Sequence, residues 1–581
     1  MCNMQKDAAA DRAAGKAVLV EIRIACLVLL CLAGFAAFCF FQNKSRKAEK
    51  MAKIRRTWGE RPEREYTAAE FDAIGRYFER TGRENDHIDD ITWNDLDMDT
   101  IFMLLNHTWS CIGESYLYSM LRTPVFSKEK LEERERLIRY FSEHGEERER
   151  MEYFFAGIGK TGSLSIFDYI YNLADYQEDS RAVHYFGIGC FVASLVGMGV
   201  YPAIGVVMLI GSIAYCWGTY FSRRKKIEPY VTSCKCLLQM LRAADELQMV
   251  KMPAIQSYQE NILSARKRFN KFKRNTFFVV AGAGMGMGGG GGVMESLALY
   301  INFTFHIDLL QFNTLVRELR KNIDAFEQMT DNIGVLESAI AVASFREMMG
   351  EWCEPSLERT ENVYLRAENI YHPMIDEPVK NSISVEKGVL VTGSNASGKS
   401  TFLKTLGINA LLAQTIHTVL ADSWEENFCQ IYSSMALRDD LMSQESYYIV
   451  EIKSLKRILD HMEDEVPLLC FVDEVLRGTN TVERIAASAQ ILESMVRDNV
   501  MCFAATHDIE LTYMLEKDYR NFHFQEEVED NDILFNYRLY EGRATSRNAI
   551  RLLSIMGYDG EIIRAAEASA EKFMKSGEWS L

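Results

Sequence analysis

The feature that most constrains this chain is the glycine-rich segment GVLVTGSNASGKSTFLKTL, which begins at Gly388. A β-type run, Val389–Thr392, leads into Gly393-x-x-x-x-Gly398-Lys399-Ser400, and an apolar pattern of helical period follows. Glycines at these positions let backbone N–H groups wrap phosphates at a helix N-terminus, while Lys and Ser suit the terminal phosphates and Mg²⁺. This strand–loop–helix order predicts a P-loop domain that binds ATP and Mg²⁺, over about residues 356–560.

Two further β-type runs end in polar residues. LLCFVDE ends in Asp473 and Glu474, and VMCFAATH ends in Thr506 and His507. Asp473 would hold Mg²⁺ and Glu474 would accept a proton from the attacking water. An acidic pair at a strand end is often only a surface turn, but the P-loop upstream favours the catalytic interpretation. His507 could sense the γ-phosphate or be an ordinary surface residue.

An uncharged apolar run, Ile24–Phe41, is long enough to cross a bilayer as a helix. A secretory signal peptide is the competing interpretation. The run is longer than a usual signal core and is followed by QNKSRKAEKMAKIRR. We therefore expect an uncleaved membrane anchor with the body of the protein in the cytoplasm.

A second uncharged apolar block covers Ala182–Ser222, with the turn signal GMGVYPAIG at its centre and Arg223, Arg224, Lys225 and Lys226 after it. It predicts a membrane hairpin with both ends cytoplasmic. A buried helical hairpin in a soluble core is the alternative. The glycine-rich stretch Phe277–Met294 favours a flexible or membrane-surface loop over a third span.

Composition limits the remaining function classes. The net charge of −17 and pI near 5.3 give no broad attraction to nucleic acid. Between residues 60 and 350 the pattern predicts long amphipathic helices. One basic cluster with aromatic residues, ARKRFNKFKR at 265–274, is either a solvated or membrane-proximal helix face or a phosphate contact. The 13 Cys include no C-x-x-C pair, which indicates free thiols and no structural metal site.

Beyond the P-loop, the chain resembles the MutS mismatch-repair family. The motifs in family order are His372-Pro373, TGSNASGKSTFLKTLGINALLAQ, SQESYYIVEIKSLKRIL, DEVLRGTNTVERIAA, ATHDIELT and SRNAIRLLSIMGYDGEIIRAA. Residues 91–125 look like the entry to the family's helical core and lever, and IGVLESAIAVASF (333–345) looks like its return to the ATPase. The resemblance covers residues 90–570 apart from the predicted hairpin.

The resemblance implies particular roles for residues. It supports the catalytic candidates Lys399, Glu474 and His507 and the metal candidates Ser400 and Asp473, which the motifs already suggest, and a loose alignment puts Tyr537 against the adenine. Ser446 falls in the segment that touches the partner subunit's nucleotide, and Gly478, Thr479 and Asn480 fall in an interface loop, so the family pattern implies a homodimer. The ATP-binding loop comprises Gly393, Ser394, Asn395, Ala396, Ser397, Gly398, Lys399, Ser400 and Thr401.

The chain also departs from the family pattern. Leu476 replaces the Gly of DEIGRGTS, and SQES replaces an SGRS-type segment. There is too little chain before residue 90 for the mismatch-reading and connector domains, no Phe-x-Glu wedge is visible, and the predicted hairpin occupies the place of the DNA clamp. The ATP chemistry therefore carries over, while mismatch recognition does not.

The expected fold is multidomain, α plus α/β, in a multi-pass protein of the inner or cell membrane. The family label implies mismatched-DNA binding and repair. The alternative is an ATP-driven switch acting on a membrane or an unknown protein partner, with DNA binding that is weak and not mismatch-specific. The predicted segments are a tail and anchor (1–43), a basic lead-in (44–89), a helical core (90–181), the hairpin (182–222), a lever and core return (223–355), the ATPase domain (356–560) and a helical tail (561–581).

Overall fold

The computed structural model divides the chain into two compact units, Met1–Glu60 and Arg61–Leu581. The structure describes residues 44–82, 86–175, 180–248, 252–272, 300–360, 362–394, 397–435, 447–476, 479–529, 532–544 and 557–576, with single positions at 34, 38, 41, 42, 550 and 553. In the first unit, residues 44–57 are helical. The predicted anchor Ile24–Phe41 lies outside the described residues apart from three isolated positions, and the glycine-rich stretch Phe277–Met294 lies outside them entirely.

The second unit begins with a helical region, as the amphipathic patterns predict. Its first helix starts with a capping box, in which Thr67 and Glu70 satisfy each other's backbone N–H groups. The helices are α1 (Ala68–Thr81), α2 (Asp90–Asp95), α3 (Met98–Leu105), α4 (Cys111–Arg122), α5 (Lys128–Glu143), α6 (Gly145–Ile158), α7 (Ile166–Asp175), α8 (Ala182–Val200), α9 (Pro202–Leu247), α10 (Gln256–Arg268), α11 (Ile307–Lys321) and α12 (Ile323–Met349), with a 3₁₀ turn at Pro253–Ile255.

Helix α12 is the central element of this region, and it packs against α4, α5 and α10. A Cβ at Gly334 of α12 would come within 2.3 Å of the Tyr116 ring, and a Cβ at Gly113 of α4 would come within 2.2 Å of Glu337. The close crossing of α4 and α12 therefore requires glycine on both helices.

Helices α8 and α9 form an antiparallel hairpin that turns at Tyr201 and Pro202. A Cβ at Gly205 would collide with the backbone of Met198, so the two helices touch through main-chain atoms. Helix α9 does not stop at Ser222. It continues through the basic residues as one helix of 46 residues, about 69 Å at 1.5 Å per residue. Among the described residues, Ala182–Val200 and Pro202–Glu228 are long and apolar enough to cross a membrane.

The sheets follow α12. The strands are β1 (Ser356–Glu358), β2 (Leu365–Ile370), β3 (Asn381–Val385), β4 (Val389–Thr392), β5 (Ser423–Asn427), β6 (Gln430–Ser434), β7 (Leu468–Asp473), β8 (Val500–Thr506), β9 (Arg520–Glu529) and β10 (Asp532–Glu541). The helices are α13 (Lys399–Ile416), α14 (Tyr447–Asp460), α15 (Thr481–Ser494), α16 (Ile509–Met514) and α17 (Gly560–Ser576).

The larger sheet has six strands in the order β10-β9-β4-β8-β7-β6, parallel except for the β9–β10 pair. A smaller sheet has the order β1-β5-β2-β3. Every residue of β4, β7 and β8 is buried, as expected for central parallel strands that are covered on both faces. The mixed α and α/β character that the sequence predicts is confirmed.

Candidate nucleotide site

The carboxyl ends of β4, β8 and β7 lie side by side at one edge of the larger sheet. Thr392 pairs with Thr506, and Asp473 pairs with Ala505. The backbone N–H of Glu474 donates to the Ala505 carbonyl at 2.9 Å, which continues the pairing one residue beyond β7. This register brings the glycine-rich loop, the acidic pair and His507 to the same edge, where parallel α/β sheets bind ligands.

The loop after β4 turns at glycines in conformations that other residues rarely adopt. Gly393 has φ 150° and Gly398 has φ 107°. Lys399, the first residue of α13, is 5% exposed, and its Nζ donates to the carbonyls of Gly393 and Ser394 at 2.8 Å each. The ammonium is thus held inside the curve of the loop, where a phosphate group would need a cation.

Other loop residues add polar groups to the curve. The Ser394 hydroxyl donates to Glu526 Oε2 of β9 at 2.9 Å. Ser397 Oγ is buried and makes no hydrogen bond with any residue that the structure describes. The predicted residues Ser400 and Thr401 are exposed in the first turn of α13. Asn395 and Ala396 lie outside the described residues.

The acidic pair after β7 divides into a buried and a partly exposed carboxylate. Asp473 is 6% exposed. Glu474 Oε1 lies 2.7 Å from His507 Nε2, within hydrogen-bonding distance. The sequence left His507 as either a γ-phosphate sensor or an ordinary surface residue, and in the structure its imidazole contacts Glu474. Glu474 also has φ 59°, a left-handed conformation that is uncommon for a non-glycine residue.

Sequence inspection missed one ion pair behind this site. Arg484 of α15 donates from Nη2 and Nε to the Asp508 carboxylate, at 2.6 and 3.0 Å. These hydrogen bonds hold the pKa of Arg484 above its ordinary value. Asp508 is fixed in turn by the Thr506 hydroxyl, which accepts from its backbone N–H at 3.0 Å. In the sequence, the only feature that drew attention to Asp508 was its position directly after Thr506 and His507.

The predicted interface residues are described only in part. Ser446 and Gly478 lie outside the described residues. Thr479 and Asn480 follow the acidic pair, and Asn480 caps α15 by accepting from the Val482 N–H at 3.1 Å. The contact with a partner subunit stays a prediction.

Tyr537 lies beside the glycine-rich loop. A Cβ at Gly398 would come 3.3 Å from Tyr537 Cδ1, so the ring borders the start of α13. Asn381 of β3 fixes the irregular part of β10, because its Nδ2 donates to the Tyr537 carbonyl at 3.0 Å and its Oδ1 accepts from the Leu539 N–H at 2.8 Å. No sequence motif indicated this role of Asn381.

Residues 389–574 match the family model described as MutS domain V. Over these residues the chain is similar to the MutS family. Proteins named DNA mismatch repair protein MutS are similar to it: that of Lactobacillus acidophilus is 27% identical over 46% of this chain and 33% of its own length, and that of Pseudothermotoga lettingae is 31% identical over 37% and 27%. MutS protein homolog 4 of Mus musculus is 26% identical over 42% and 26%.

The chain thus spans about a third or less of the length of these curated relatives. Within the MutS domain V match, Leu476 stands where the family pattern has glycine. Leu476 has φ 60°, the left-handed conformation that glycine adopts without strain. The backbone therefore keeps a conformation suited to glycine, while the leucine side chain is buried in the core.

The far end of α13 joins the MutS-like region to the helical region. Arg346 near the end of α12 donates to both oxygens of Glu135 on α5, at 2.9 and 2.6 Å. The same guanidinium donates to the His417 carbonyl at 2.9 Å and to the Thr418 hydroxyl at 3.0 Å, directly after α13. Three helices therefore meet at one arginine. Because Arg346 neutralises the Glu135 carboxylate, that carboxylate is a poor ligand for a cation.

The basic cluster at 265–274 has much of its charge already paired. Arg266 donates to Asp245 Oδ2 at 3.0 Å, and Arg268 donates to both oxygens of Asp324 at 2.6 and 2.9 Å. Phe269 and Phe272 are fully buried. Lys273 and Arg274 lie outside the described residues. The described part favours the helix-face interpretation of this cluster over the phosphate contact.

Proposed function

We propose that this chain binds ATP with Mg²⁺ and hydrolyses it. The observation that carries the proposal is the meeting of Lys399, Asp473, Glu474 and His507 at one sheet edge. Lys399 would hold the β- and γ-phosphates, and Ser400 and Asp473 would hold Mg²⁺. Bound Mg²⁺ supplies charge neutralisation on the phosphates.

Glu474 would accept the proton of the attacking water, with His507 as its positioning residue. A base must lie within hydrogen-bonding reach of the proton that it takes, so a fixed carboxylate orientation matters. The 2.7 Å contact from His507 Nε2 supports this arrangement. Tyr537, on the other side of the loop, offers a ring on which the adenine could pack.

We further propose that ATP turnover drives a switch at a membrane. Two observations support this idea. The exposed large apolar side chains concentrate on the α8–α9 hairpin, which is what a bilayer-facing surface requires. Arg346 connects the end of α13 to α12 and α5, so a shift of the loop-bearing helix bears directly on the helical region. Homodimer formation through the loop of Thr479 and Asn480 is part of the same proposal.

DNA binding is the second candidate, because the relatives are named as DNA mismatch repair proteins. The partly paired cluster of Arg266 and Arg268 makes it the weaker one. Phosphate contacts carry no sequence information and weaken steeply with salt. We expect a mismatch-to-match affinity ratio near one in fluorescence anisotropy on paired duplexes. A tenfold preference for the mismatch, about 1.4 kcal/mol, would favour the repair role instead.

The test of ATP chemistry uses the full chain in detergent. Lys399→Ala should abolish nucleotide binding, because it removes the point charge inside the loop. Glu474→Gln should keep ATP and Mg²⁺ but slow steady-state turnover by about 10²-fold or more, as expected for the loss of a general base. Binding is measured with a fluorescent nucleotide analogue and turnover by phosphate release.

Two matched variants serve as controls. Lys387→Ala removes an exposed lysine just before β4, and Glu493→Gln converts an exposed carboxyl of α15 to an amide. Both should leave binding and turnover unchanged. Normal turnover in Glu474→Gln would remove that residue from the catalytic role, and nucleotide binding by Lys399→Ala would overturn the assignment of the loop.

A further inference from the structure

A cavity lies in the helical region, far from the loop between β4 and α13. Its volume is about 820 Å³, within the range of small-molecule sites. Residues of α1, α4, α5 and α12 line it together with Ile416, the last residue of α13. Lys399 lies at the opposite end of that helix, about 25 Å away at 1.5 Å per residue.

Arg134 of α5 brings a positive charge to this cavity. One N–H of its guanidinium donates to the Thr415 carbonyl. Within the described part of the chain, Arg134 forms no ion pair, whereas Arg136 and Arg139 on the same helix pair with Glu133 and Glu354. Burial lowers the pKa of Arg134, because a desolvated cation is costly without a counter-charge.

A purely structural role accounts for only part of this arrangement. A cation near the C-terminus of α13 is favoured by the helix dipole. That role uses one of the five N–H donors of a guanidinium. The remaining donors find no hydrogen-bond acceptor among the residues that the structure describes.

Two hydroxyl groups from the cavity wall also lack hydrogen-bond partners among the described residues. Ser338 of α12 is fully buried, and its Oγ makes no hydrogen bond within the described residues. Thr123 Oγ1 is buried and unpaired in the same sense. The Tyr116 ring lines the wall as well, and burial raises the pKa of its hydroxyl, so that it stays a protonated donor.

The rest of the wall selects the body of a ligand. The rings of Tyr77, Tyr116 and Tyr258 and aliphatic side chains from α12 line the space. Glu133 also lines it, but its carboxylate already accepts from Arg136 and Tyr258. Glu129 and Lys130 also line the cavity with opposite charges, and Asp86 contributes one further carboxylate.

We propose that this cavity binds a small aromatic carboxylate. Arg134 would take the carboxylate in a two-point hydrogen bond, as arginine does with planar anions. The Tyr116 hydroxyl would donate to the same group, and the tyrosine rings would flank the aromatic body. A ligand in this position would touch both α12 and the end of α13.

The test measures binding of 2-naphthoate to the full chain in a neutral detergent, by its fluorescence. 2-Naphthamide has nearly the same shape without the charge, so it should bind at least tenfold more weakly. Arg134→Gln should remove that difference, and Arg134→Lys should keep part of it. Arg150→Gln, an exposed arginine of α6 paired with Glu146, should bind like the parent chain.

Tyr116→Phe gives a second test that does not depend on a charged residue. It should weaken naphthoate binding several-fold without lowering the unfolding temperature, because the ring is kept and the hydroxyl forms no hydrogen bond with a described residue. Lys399→Ala should bind naphthoate normally, which separates this site from ATP chemistry. Equal binding of acid and amide, unchanged binding in Arg134→Gln, or no saturable binding by the parent chain would each overturn the proposal.

Discussion

Strands β4, β7 and β8 and the hairpin of helices α8 and α9 are both strongly apolar over Val389–Thr392, Leu468–Asp473, Val500–Thr506 and 182–222, and the molecule places them in opposite environments. All residues of the three strands are buried. The hairpin has large apolar side chains facing outward, among them Val196, Val207 and Ile210. The strands find apolar partners inside the fold, whereas the hairpin needs them outside it. An apolar segment is therefore expected to be shielded from water, but the fold determines whether the protein interior or its surroundings provide that shielding.

The largest effect is expected when a charged side chain is placed on the exposed surface of the hairpin. Ile210 is 64% exposed on α9, and Ile562 is 54% exposed on α17. In a bilayer, Ile210→Lys costs about 3 kcal/mol, whereas Ile562→Lys exchanges one solvated side chain for another. With Tyr201→Cys as a reporter in a cysteine-replaced background, we expect labelling from outside intact cells. Ile210→Lys should reduce that labelling at least tenfold, and Ile562→Lys should leave it unchanged.

Two results would contradict the membrane hairpin. Protection of position 201 while position 230 is accessible would remove the spanning arrangement. Equal labelling in the two lysine variants would mean that the surface around Ile210 faces water. Labelling at position 201 tests the hairpin whether or not Ile24–Phe41 anchors the chain.

The parts that sequence could predict are those fixed by local chemistry. The pattern around Lys399 predicted a strand, a loop and a helix, and β4 and α13 are found there, because glycine spacing and strand–helix order are encoded within a short segment. The hairpin turn near Tyr201 followed from a Gly/Pro signal between two apolar runs. The length of α9 was not predictable, since charged residues at 223–226 end an apolar pattern without ending a helix. The contact between His507 and Glu474 depends on the register of β7 and β8, which no local pattern contains.

A smaller effect tests the strained end of β7. Leu476 is 3% exposed, so Leu476→Ala should cost about 2–4 kcal/mol of unfolding free energy through lost burial and a residual cavity. Leu476→Gly loses the same packing but relieves about 1–2 kcal/mol of left-handed strain, against about 0.5–1 kcal/mol of glycine entropy. We therefore expect the glycine variant to be at least as stable as the alanine variant.

The matched control is Leu492, a fully buried leucine within α15. There glycine should be less stable than alanine by about 1 kcal/mol, since helix interiors disfavour it. Unfolding followed by circular dichroism in one detergent compares all four variants. A glycine variant at position 476 that is less stable than alanine by the amount seen at 492 would show that the left-handed conformation carries no strain.

The smallest expected effect is at the outer edge of the larger sheet, where the fold is held by polar contacts instead of apolar burial. Asn381→Ala removes the hydrogen bonds to the Tyr537 carbonyl and from the Leu539 N–H, worth about 1 kcal/mol each. Both lie at a partly exposed edge, so global stability should change little. Tyr537 would lose its fixed position beside Gly398, and the KM for ATP should rise several-fold at constant kcat, the pattern of a lost uniform binding contact. Ser382→Ala is the control, because its hydroxyl, also on β3, accepts from the backbone N–H of Asn369 on β2 and makes no such bond to β10. An unchanged KM in Asn381→Ala would separate Tyr537 from adenine binding, and a fall in kcat alone would place the effect of Asn381 on the catalytic edge of the sheet.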